Sequence, residues 1–437
     1  MLITADWVLP VGRPPIRNGG VLVNGASIVG IGHAEELAKV GLRGPRHDFP
    51  GCVVMPGLVN AHTHLAMSCL KDVVPPMAFH DWIARVPVAF RALSDDDIAA
   101  SISYGAHRAV ASGTTVVGDI AYGPESLAVC ADCGLGGMFY WEVLGMSVDE
   151  LAQRLYELEY PSDPGTGCSR RYRCGLSPHA VYTSGPDLLR ATRKIAAGQG
   201  AGFALHVAES AAETELLRTG GGPLADVAAR LAQGFTPPTS SPVSYLDCLG
   251  VLEDAIAVHM VRVLPTDIPR LARLRTRVVL CPRSNRYLQN GTAPAWRFER
   301  AGIPLALGTD SLASNTDLDL FEEARALRDC EPRFDAHRLI EMMTAGGAGV
   351  LGMDDAFGTL EQGKQADLVA YRVPQTSDPY EALLETARRS TVEAVLSAGI
   401  WRVLGGSLTT GIAVIERAAH LAGQRATLAV KLAEDGA

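Results

Sequence analysis

Short apolar runs alternate with longer amphipathic stretches through the middle of this chain. The runs are rich in β-branched residues or bounded by glycine, which predicts strands, and stretches such as "SDDDIAASISYGAHRAVAS" and "TDIPRLARLR" predict helices between them. The strand candidates, in chain order, are "VVMPGLVNAHTH", "TTVVGDI", "LGGMFYWEVL", "RYRCGLSPH", "GFALHVAE", "AIAVHMV", "RVVLCPRSN" and "IPLALGTDS". Near-continuous apolar strands separated by helices indicate a parallel sheet. Eight such units predict an α/β fold, a (β/α)8 TIM-like barrel with its functional site at the carboxyl ends of the strands.

The two ends of the chain show a different pattern, with short strands of alternating polarity. They occur in residues 1–53, for example "GGVLVNGASIVGIG", and again in residues 365–437, for example "QADLVAYRV", before a helical tail. Strand-rich ends that flank a barrel predict a small β-sandwich domain formed by both termini, with the barrel at residues 54–364. Residues 218–248 form a long insertion between the fifth and sixth strands, and long loops in compact domains are often lids or binding loops.

Composition narrows the class of protein. The chain has 437 residues, of which 47% are hydrophobic and 20% charged, as in an ordinary well-packed globular protein. A net charge of −9 argues against a nucleic acid or an anionic membrane as partner, because both bind basic surfaces. No apolar run approaches the roughly 18 residues of a membrane span, and the start lacks the features of a signal peptide. Nine scattered cysteines fit reduced thiols, so we expect a cytoplasmic protein in which the lone C-x-x-C of Cys130 and Cys133 packs within a helix.

Polar residues concentrate at the ends of the predicted strands. Random surface placement does not produce this pattern, which indicates a site at one rim of the barrel. The residues are His62, His64, Asp119, Glu142, His179, His206, Glu209, His259, Arg283, Asn285 and Asp310.

The pair His62 and His64 is the centre of the predicted site. Two residues apart on a strand, both imidazoles emerge on one face about 6–7 Å apart and can bind one ion. An H-x-H pair alone is weak evidence, but the first and eighth strands of a closed barrel are neighbours, so Asp310 can meet the pair, and His206 reaches in across the lumen. Three neutral nitrogens and one carboxylate suit one Zn²⁺ or Fe²⁺ ion with an open position for water. Taken singly, His206 also fits a core histidine, and Asp310 a helix N-cap.

Such a site predicts hydrolysis. A bound divalent metal lowers the pKa of its water toward ~7, and Asp310 beside that water can act as a base. Glu209, three residues after His206, lies over the same cavity and can carry a proton to the substrate. His259 can orient the attacking oxygen or the oxygen of the intermediate. The alternative for Glu209 is a solvated surface position.

Several segments resemble a known family. "PGLVNAHTHLAMS", "LHVAES", "AVHMV" and "LGTDSLASN", followed by "GKQADLVAY", are similar to the amidohydrolase superfamily, most of all to its aminohydrolase branch. The motifs occur in order from residue 55 to residue 370, so the resemblance covers nearly the whole chain. It implies a (β/α)8 barrel with a β-sandwich from both termini. The roles it implies are metal ligands at His62, His64, His206 and Asp310, a proton shuttle at Glu209 and an activator at His259.

The resemblance also implies one metal ion and a substrate class. Dinuclear members carry a bridging lysine, whereas "CGLSPHA" offers His179. Within the branch, "GLSPHAVYT", "HVAESAAETELLRTGGGPL", "PVSYLDCLGVL" and "CPRSNRYL" resemble bacterial aminodeoxyfutalosine deaminases of an alternative menaquinone pathway. That resemblance implies hydrolysis of the 6-amino group of an adenine nucleoside to give futalosine and ammonia. We predict substrate contacts at Trp82, Glu142 and His179, although Trp82 fits helix packing equally well. A homodimer is expected from the family.

Other functions stay open at this point. Within the branch, the alternatives are a deaminase of S-adenosylhomocysteine, methylthioadenosine or adenosine, and a triazine hydrolase, since the same chemistry can displace other leaving groups. From a different class, the chain could be a catalytically silent barrel that serves as a binding protein. Zinc deaminases of the cytidine type need H-x-E with P-C-x-x-C, and this chain has H-x-x-E instead.

Overall fold

The computed structural model describes residues 1–40, 44–160, 169–231 and 235–435. The strands are β1 (Leu2–Val8), β2 (Ile16–Asn24), β3 (Ser27–His33), β4 (Arg46–Pro56), β5 (Leu58–Thr63), β6 (Thr114–Ala121), β7 (Gly136–Val143), β8 (Tyr172–Pro178), β9 (Gly202–Val207), β10 (Ile256–His259), β11 (Arg277–Leu280), β12 (Leu305–Leu307), β13 (Leu368–Arg372), β14 (Val392–Ser397), β15 (Ile400–Leu404) and β16 (Ser407–Leu408).

The helices lie mostly between the barrel strands. They are α1 (Ala34–Ala38), α2 (Phe79–Arg91), α3 (Asp95–Ala111), α4 (Pro124–Cys133), α5 (Val148–Glu157), α6 (Pro186–Gln199), α7 (Ala211–Thr219), α8 (Ala225–Leu231), α9 (Pro242–Cys248), α10 (Ile268–Arg273), α11 (Pro282–Tyr287), α12 (Ala295–Arg300), α13 (Leu320–Cys330), α14 (Ala336–Met342), α15 (Ala345–Leu351), α16 (Pro379–Thr386) and α17 (Ala413–Asp435), with 3-10 turns at Leu65–Leu70 and Arg389–Thr391.

Strands β5 to β12 form one parallel sheet in sequence order, which confirms the predicted barrel. Its strands are buried on both faces, because side chains such as Val59, Tyr140 and Val258 fill the interior while helices cover the outside. The polar ends of these strands therefore share one rim.

The first and last strands meet at a seam that closes the barrel. The Asp310 N–H donates to the His62 carbonyl at 3.0 Å. The Asn60 amide donates to the Thr309 hydroxyl at 2.7 Å and accepts from the Thr309 N–H at 3.0 Å. A Cβ at Gly308 would lie 2.8 Å from the Cβ of His62, so only glycine lets the two segments approach this closely. The seam places His62 and Asp310 side by side.

Both termini contribute to one mixed sheet of eight strands, in the order β16-β15-β14-β13-β4-β1-β2-β3. This confirms that the two ends of the chain form a single β domain. Strand β4 pairs parallel to β1 and antiparallel to β13, so the N-terminal and C-terminal parts join there. The apolar run "VVMPGLVNAHTH" is divided at Gly57 between β4 of this sheet and β5 of the barrel. The domain boundaries at residues 53/54 and 364/365 stay predictions.

The terminal helix and the insertion lie outside the barrel wall. Helix α17 packs against α2 and α3, and its Arg425 forms an ion pair with Asp97. The predicted insertion at 218–248 contains α8 and α9, of which α8 packs against α2; residues 232–234 lie outside the described residues. Its role as a lid stays a prediction. None of the helices in the described ranges combines the length and apolar character that crossing a membrane requires.

Candidate active site

Four of the predicted residues converge at the seam and the opposite wall of the barrel. Nε2 atoms of His62 and His64 each lie 3.7 Å from Oδ1 of Asp310. Nε2 of His64 lies 3.3 Å from Nε2 of His206, which reaches in from β9 as predicted. Ligand atoms of His62, His64 and Asp310 lie within 4.8 Å of one another, as do those of His62, His206 and His259.

The cluster fits a divalent metal ion. Nε2 of His62 is buried and has no hydrogen-bond partner among the described residues, a costly state for a polar atom unless something binds it. The Nδ1 of His206 contacts the His179 carbonyl at 2.8 Å. A carbonyl only accepts, so Nδ1 carries the proton and Nε2 turns a lone pair toward His64. Such a lone pair 3.3 Å from a second imidazole nitrogen is favourable only with a proton or a cation between them.

Burial favours the neutral form of three imidazoles in the cluster, those of His64, His206 and His259. It lowers the pKa of His64 to about 3, with help from the neighbouring His62, and the pKa of His259 to about 4. Burial and the surrounding histidines also hold the pKa of His206 well below its ordinary value. Metal ligation needs the neutral ring, so these side chains are in the required form at neutral pH.

The backbone around the cluster is strained. Ala208, His259, Met260 and Asp310 have positive φ angles of 51°, 71°, 49° and 60° at the ends of β9, β10 and β12. Side chains other than glycine rarely adopt this conformation, which costs about 1–3 kcal/mol per residue and often marks functional sites. Two of these residues, His259 and Asp310, direct polar side chains into the cavity at the mouth of the barrel.

The pKa values of two carboxyl groups in the site are shifted in opposite directions. Burial raises the pKa of Glu209 well above its usual value, and the charges of Asp310 and Glu213 add to the shift. Burial would also raise the pKa of Asp310, but the imidazoles of His62 and His259 outweigh it and hold that pKa well below its usual range. Glu209 is therefore suited to donate a proton, and Asp310 to accept one.

Hydrogen bonds from the next layer hold Asp310 and His259. The carboxylate of Asp310 accepts from Ser284 at 2.6 Å, from Ser314 at 2.9 Å and from the Ser311 N–H at 2.7 Å. Nδ1 of His259 donates to Oδ1 of Asn285 at 3.1 Å, so its Nε2 faces the cavity, where it lies 3.8 Å from Glu209. That ring therefore links the histidine cluster to the carboxyl of Glu209.

A second buried acid holds the turn that carries Glu209. The carboxyl of Glu213 accepts the Ala208 N–H at 3.1 Å and the Glu209 N–H at 2.6 Å. The same residue is fixed by the start of α7, where the Ser210 hydroxyl accepts the Glu213 N–H at 3.0 Å. Glu213 is 1% exposed, and burial raises its pKa to about 7. Glu213 therefore acts as a clamp: its carboxyl fixes the strained turn at Ala208 and Glu209 through two backbone hydrogen bonds.

A cavity of about 250 Å³ opens above the cluster. The three predicted substrate contacts Trp82, Glu142 and His179 all line it. The Trp82 indole N–H donates to the Ala313 carbonyl at 2.9 Å, so this residue both packs and forms cavity wall. Glu142 is 6% exposed, one of its oxygens has no partner in the described part of the chain, and burial raises its pKa to about 7.

Comparison with known proteins identifies the family. The model of the family described as "Amidohydrolase family" matches residues 53–402, which is most of the chain. The chain belongs to the amidohydrolase family.

Relatives cover most of this amidohydrolase. It is 37% identical to an aminodeoxyfutalosine deaminase of Deinococcus radiodurans over 80% of this chain and 85% of the relative. It is 31% identical to a 5-methylthioadenosine/S-adenosylhomocysteine deaminase of Pelotomaculum thermopropionicum over 91% of this chain and 92% of the relative. A solved structure of an adenosine deaminase from Xanthomonas campestris with bound Zn has a TM-score of 0.83 and 27% identity, with 98% of each chain covered. This chain is an amidohydrolase-family enzyme, a hydrolase acting on C–N bonds.

Some strand-end residues of this amidohydrolase do not reach the cavity. Asp119 accepts the Leu65 N–H at 2.9 Å and supports the segment after His64. Arg283 turns away and pairs with Asp317 at 2.6 Å. Cys130 lies buried in α4, where the C-x-x-C pair packs as expected, and none of the cysteines in the described ranges forms a disulfide.

Several residues that support the site were not singled out from the sequence. Asn290 donates to Glu209 at 3.2 Å, and Ser284 and Ser314 bind Asp310. Glu213 follows Ser210 by three residues, a spacing that signals a helix start and not a contact with Glu209. A serine or asparagine after a strand is common in loops, so nothing in the pattern distinguished these positions.

Proposed function

We propose that this amidohydrolase removes the 6-amino group of adenine nucleosides by metal-dependent hydrolysis, with aminodeoxyfutalosine as its preferred substrate. The products are futalosine and ammonia. The observation that carries the proposal is the convergence of His62, His64, His206 and Asp310 around an unpartnered imidazole nitrogen, beneath a cavity that also holds Glu209. The 37% identity to an aminodeoxyfutalosine deaminase supports the choice of nucleoside.

His62, His64, His206 and Asp310 would hold one divalent ion. When bound there, such an ion would lower the pKa of a water molecule, so that the nucleophilic hydroxide form is available at neutral pH. The zinc named with the Xanthomonas campestris adenosine deaminase structure supports Zn²⁺ over Fe²⁺. The raised pKa of Glu209 makes it the proton donor, and the lowered pKa of Asp310 makes it the proton acceptor.

Two carboxyl groups beside the proposed metal position transfer the protons of the reaction. Glu209, whose pKa burial raises well above its usual value, donates a proton to ring nitrogen N1 as water attacks C6, because negative charge builds on the purine ring at that stage. Asp310 is ionised, accepts the proton of the attacking water and passes it to the leaving amine. His259, 3.8 Å from Glu209, positions the oxygen that attacks. The remaining proton of the attacking water returns to Glu209 as ammonia leaves, and the carbonyl of the hypoxanthine ring forms.

The second candidate is a deaminase of methylthioadenosine or S-adenosylhomocysteine. A relative of that description matches 91% of this chain at 31% identity. The proton transfers are the same for all adenine nucleosides, so the two candidates differ in the group carried at the 5′ carbon of ribose. The cytoplasmic location and the homodimer expected above stay predictions.

A substrate panel tests the proposal. Zinc-reconstituted enzyme is mixed with aminodeoxyfutalosine, methylthioadenosine, S-adenosylhomocysteine, adenosine, guanine and a triazine, and deamination is followed by its ultraviolet change. We expect the highest kcat/KM with aminodeoxyfutalosine and loss of activity on chelation. Reaction with only guanine or the triazine would contradict the proposed substrate, and a protein that takes up no transition metal would contradict the proposed chemistry.

A further inference from the structure

The active-site cavity has two ends. The metal end contains His62, His64, His206 and Asp310. The helix end contains Arg91, Tyr122 and Glu142, which line the same cavity.

One face of α2 forms the wall between the two ends. Phe79, Trp82, Val86 and Phe90 recur at helical spacing and line the cavity. Trp82 lies near the metal end, because its indole donates to the carbonyl of Ala313, in the segment after Asp310. Arg91 lies nine residues further along the helix, which corresponds to about 14 Å. The cavity thus continues well beyond the position of the reacting amine.

The wall between the ends is apolar. Val86 and Phe90 of α2 face the cavity together with Met67 and Leu144. Such a wall can accept a long apolar substituent but offers a charged group no partner along the way. A polar group on the substituent therefore meets a polar partner only at the helix end.

The helix end presents a free positive charge. Arg91 is exposed, lines the cavity, and forms no hydrogen bond or ion pair with any residue in the ranges described. Arg154 lies over the ring of Tyr122 at 5.2 Å, but it is already paired with Glu157 at 3.7 Å. Among the described residues that line this end, Glu142 is the one acid, and burial raises its pKa to about 7, so it offsets only part of the charge.

We propose that Arg91 binds an anionic group, a carboxylate, at the far end of the 5′ substituent of the nucleoside, while the α2 wall holds the apolar part between. Guanidinium and carboxylate match in charge and in planar hydrogen-bonding geometry. The inference rests on the proposed nucleoside deamination and makes Arg91 a specificity-determining residue for it. It favours substrates with an aryl or alkyl carboxylate over neutral adenosines of the same shape.

The test compares an acid with its neutral ester. Aminodeoxyfutalosine, which ends in an aryl carboxylate, and its methyl ester are assayed with the wild type, with Arg91→Gln and with Arg91→Lys. We expect the wild type to favour the acid, and Arg91→Gln to raise the KM of the acid relative to that of the ester about tenfold. Arg91→Lys keeps the charge and should restore part of the preference.

Arg85→Gln is the matched control, because Arg85 lies on the same helix but pairs with Glu434 outside the cavity at 2.7 Å. Its KM ratio should equal that of the wild type. An unchanged ratio in Arg91→Gln, or a wild type that does not favour the acid, would overturn the role of Arg91 and leave nucleoside deamination standing. A wild type that deaminates none of the adenine nucleosides, methylthioadenosine included, would overturn the proposed function, and the inference with it.

Discussion

The metal end and the helix end of the cavity are built in different ways. At the metal end, the side chains come from the ends of several strands, and the carboxylate of Asp310 is held by short hydrogen bonds from Ser284 and Ser314. At the helix end, most of the wall comes from one face of α2, and Arg91 has no partner in the described part of the chain. The proposed reaction and the proposed choice of substrate therefore rest on separate parts of the fold. Changes at one end should therefore alter kcat, and changes at the other should alter KM.

The largest effect is expected at the metal end. Asp310→Asn or Glu209→Gln should lower kcat about 10²- to 10⁴-fold, because each removes a group that we propose transfers a proton. Single-turnover rates and thermal melting measure the two consequences, and the fold should stay intact. Asp329→Asn, at an exposed acid on α13, is the control. A near-normal rate in either variant would refute the assigned proton transfers.

The clamp on Glu209 should give the next largest effect. Glu213→Ala removes the acceptor of two backbone N–H groups in a strained turn, so we expect kcat to fall about 10- to 100-fold with little change in KM. The pH profile of kcat is the second readout, since a misplaced Glu209 shifts its basic limb. Glu215→Ala, at an exposed position two residues on, serves as control. Equal kcat in both variants would show that Glu213 only supports the fold.

The pH dependence should report the groups of the metal end. The raised pKa of Glu209 means that its proton is present below that pKa and lost above it, so the rate should fall on the basic side. His64 and His259, with pKa values of about 3 and 4, stay neutral until strongly acidic solution, where protonation competes with metal binding. Rates and bound metal measured across the pH range test both limbs. A rate and a bound-metal content that stay constant well below pH 3 would contradict the histidine ligation.

The smallest effect is expected for Glu142→Gln at the helix end. The amide keeps the shape of a carboxyl whose pKa is already about 7 and which has one unpartnered oxygen. We expect a change in KM of about two- to fivefold with kcat unchanged, because one neutral hydrogen bond is altered. A large loss of kcat would show that the helix end contributes to the reaction itself and that the two ends are not independent.

The metal end could be predicted from the sequence, and the helix end largely could not. His62, His206 and Asp310 stood out because parallel strands bring their carboxyl ends to one rim. Residues that directly follow these strands are therefore expected to lie close together. Phe90 and Val86 show only the apolar spacing of an ordinary packed helix. Nothing in that spacing tells whether the face meets the barrel wall or an open cavity.

The supporting residues were missed for a related reason. Glu213 contacts the backbone of Ala208 and Glu209 only because the turn between β9 and α7 folds back on itself. Asn290 reaches Glu209 from a segment 81 positions away in the chain. Contacts of this kind depend on loop paths, which apolar periodicity does not describe. The strands and helices could therefore be predicted from the sequence, whereas the hydrogen bonds between loops could not.

Closure of the barrel at the seam sets an order in which the chain can fold. Asn60 and Thr309, which bond across the seam, are 249 positions apart, so this pairing forms late and at a high cost in chain entropy. During synthesis, the proposed ligand set of His62, His64 and His206 stays incomplete until Asp310 has emerged. The proposed ion, held by His62 and Asp310, would then join the first strand to the last. The metal-free barrel should open first at this seam, which fast hydrogen exchange at the backbone amides of Thr309 and Asp310 would reveal.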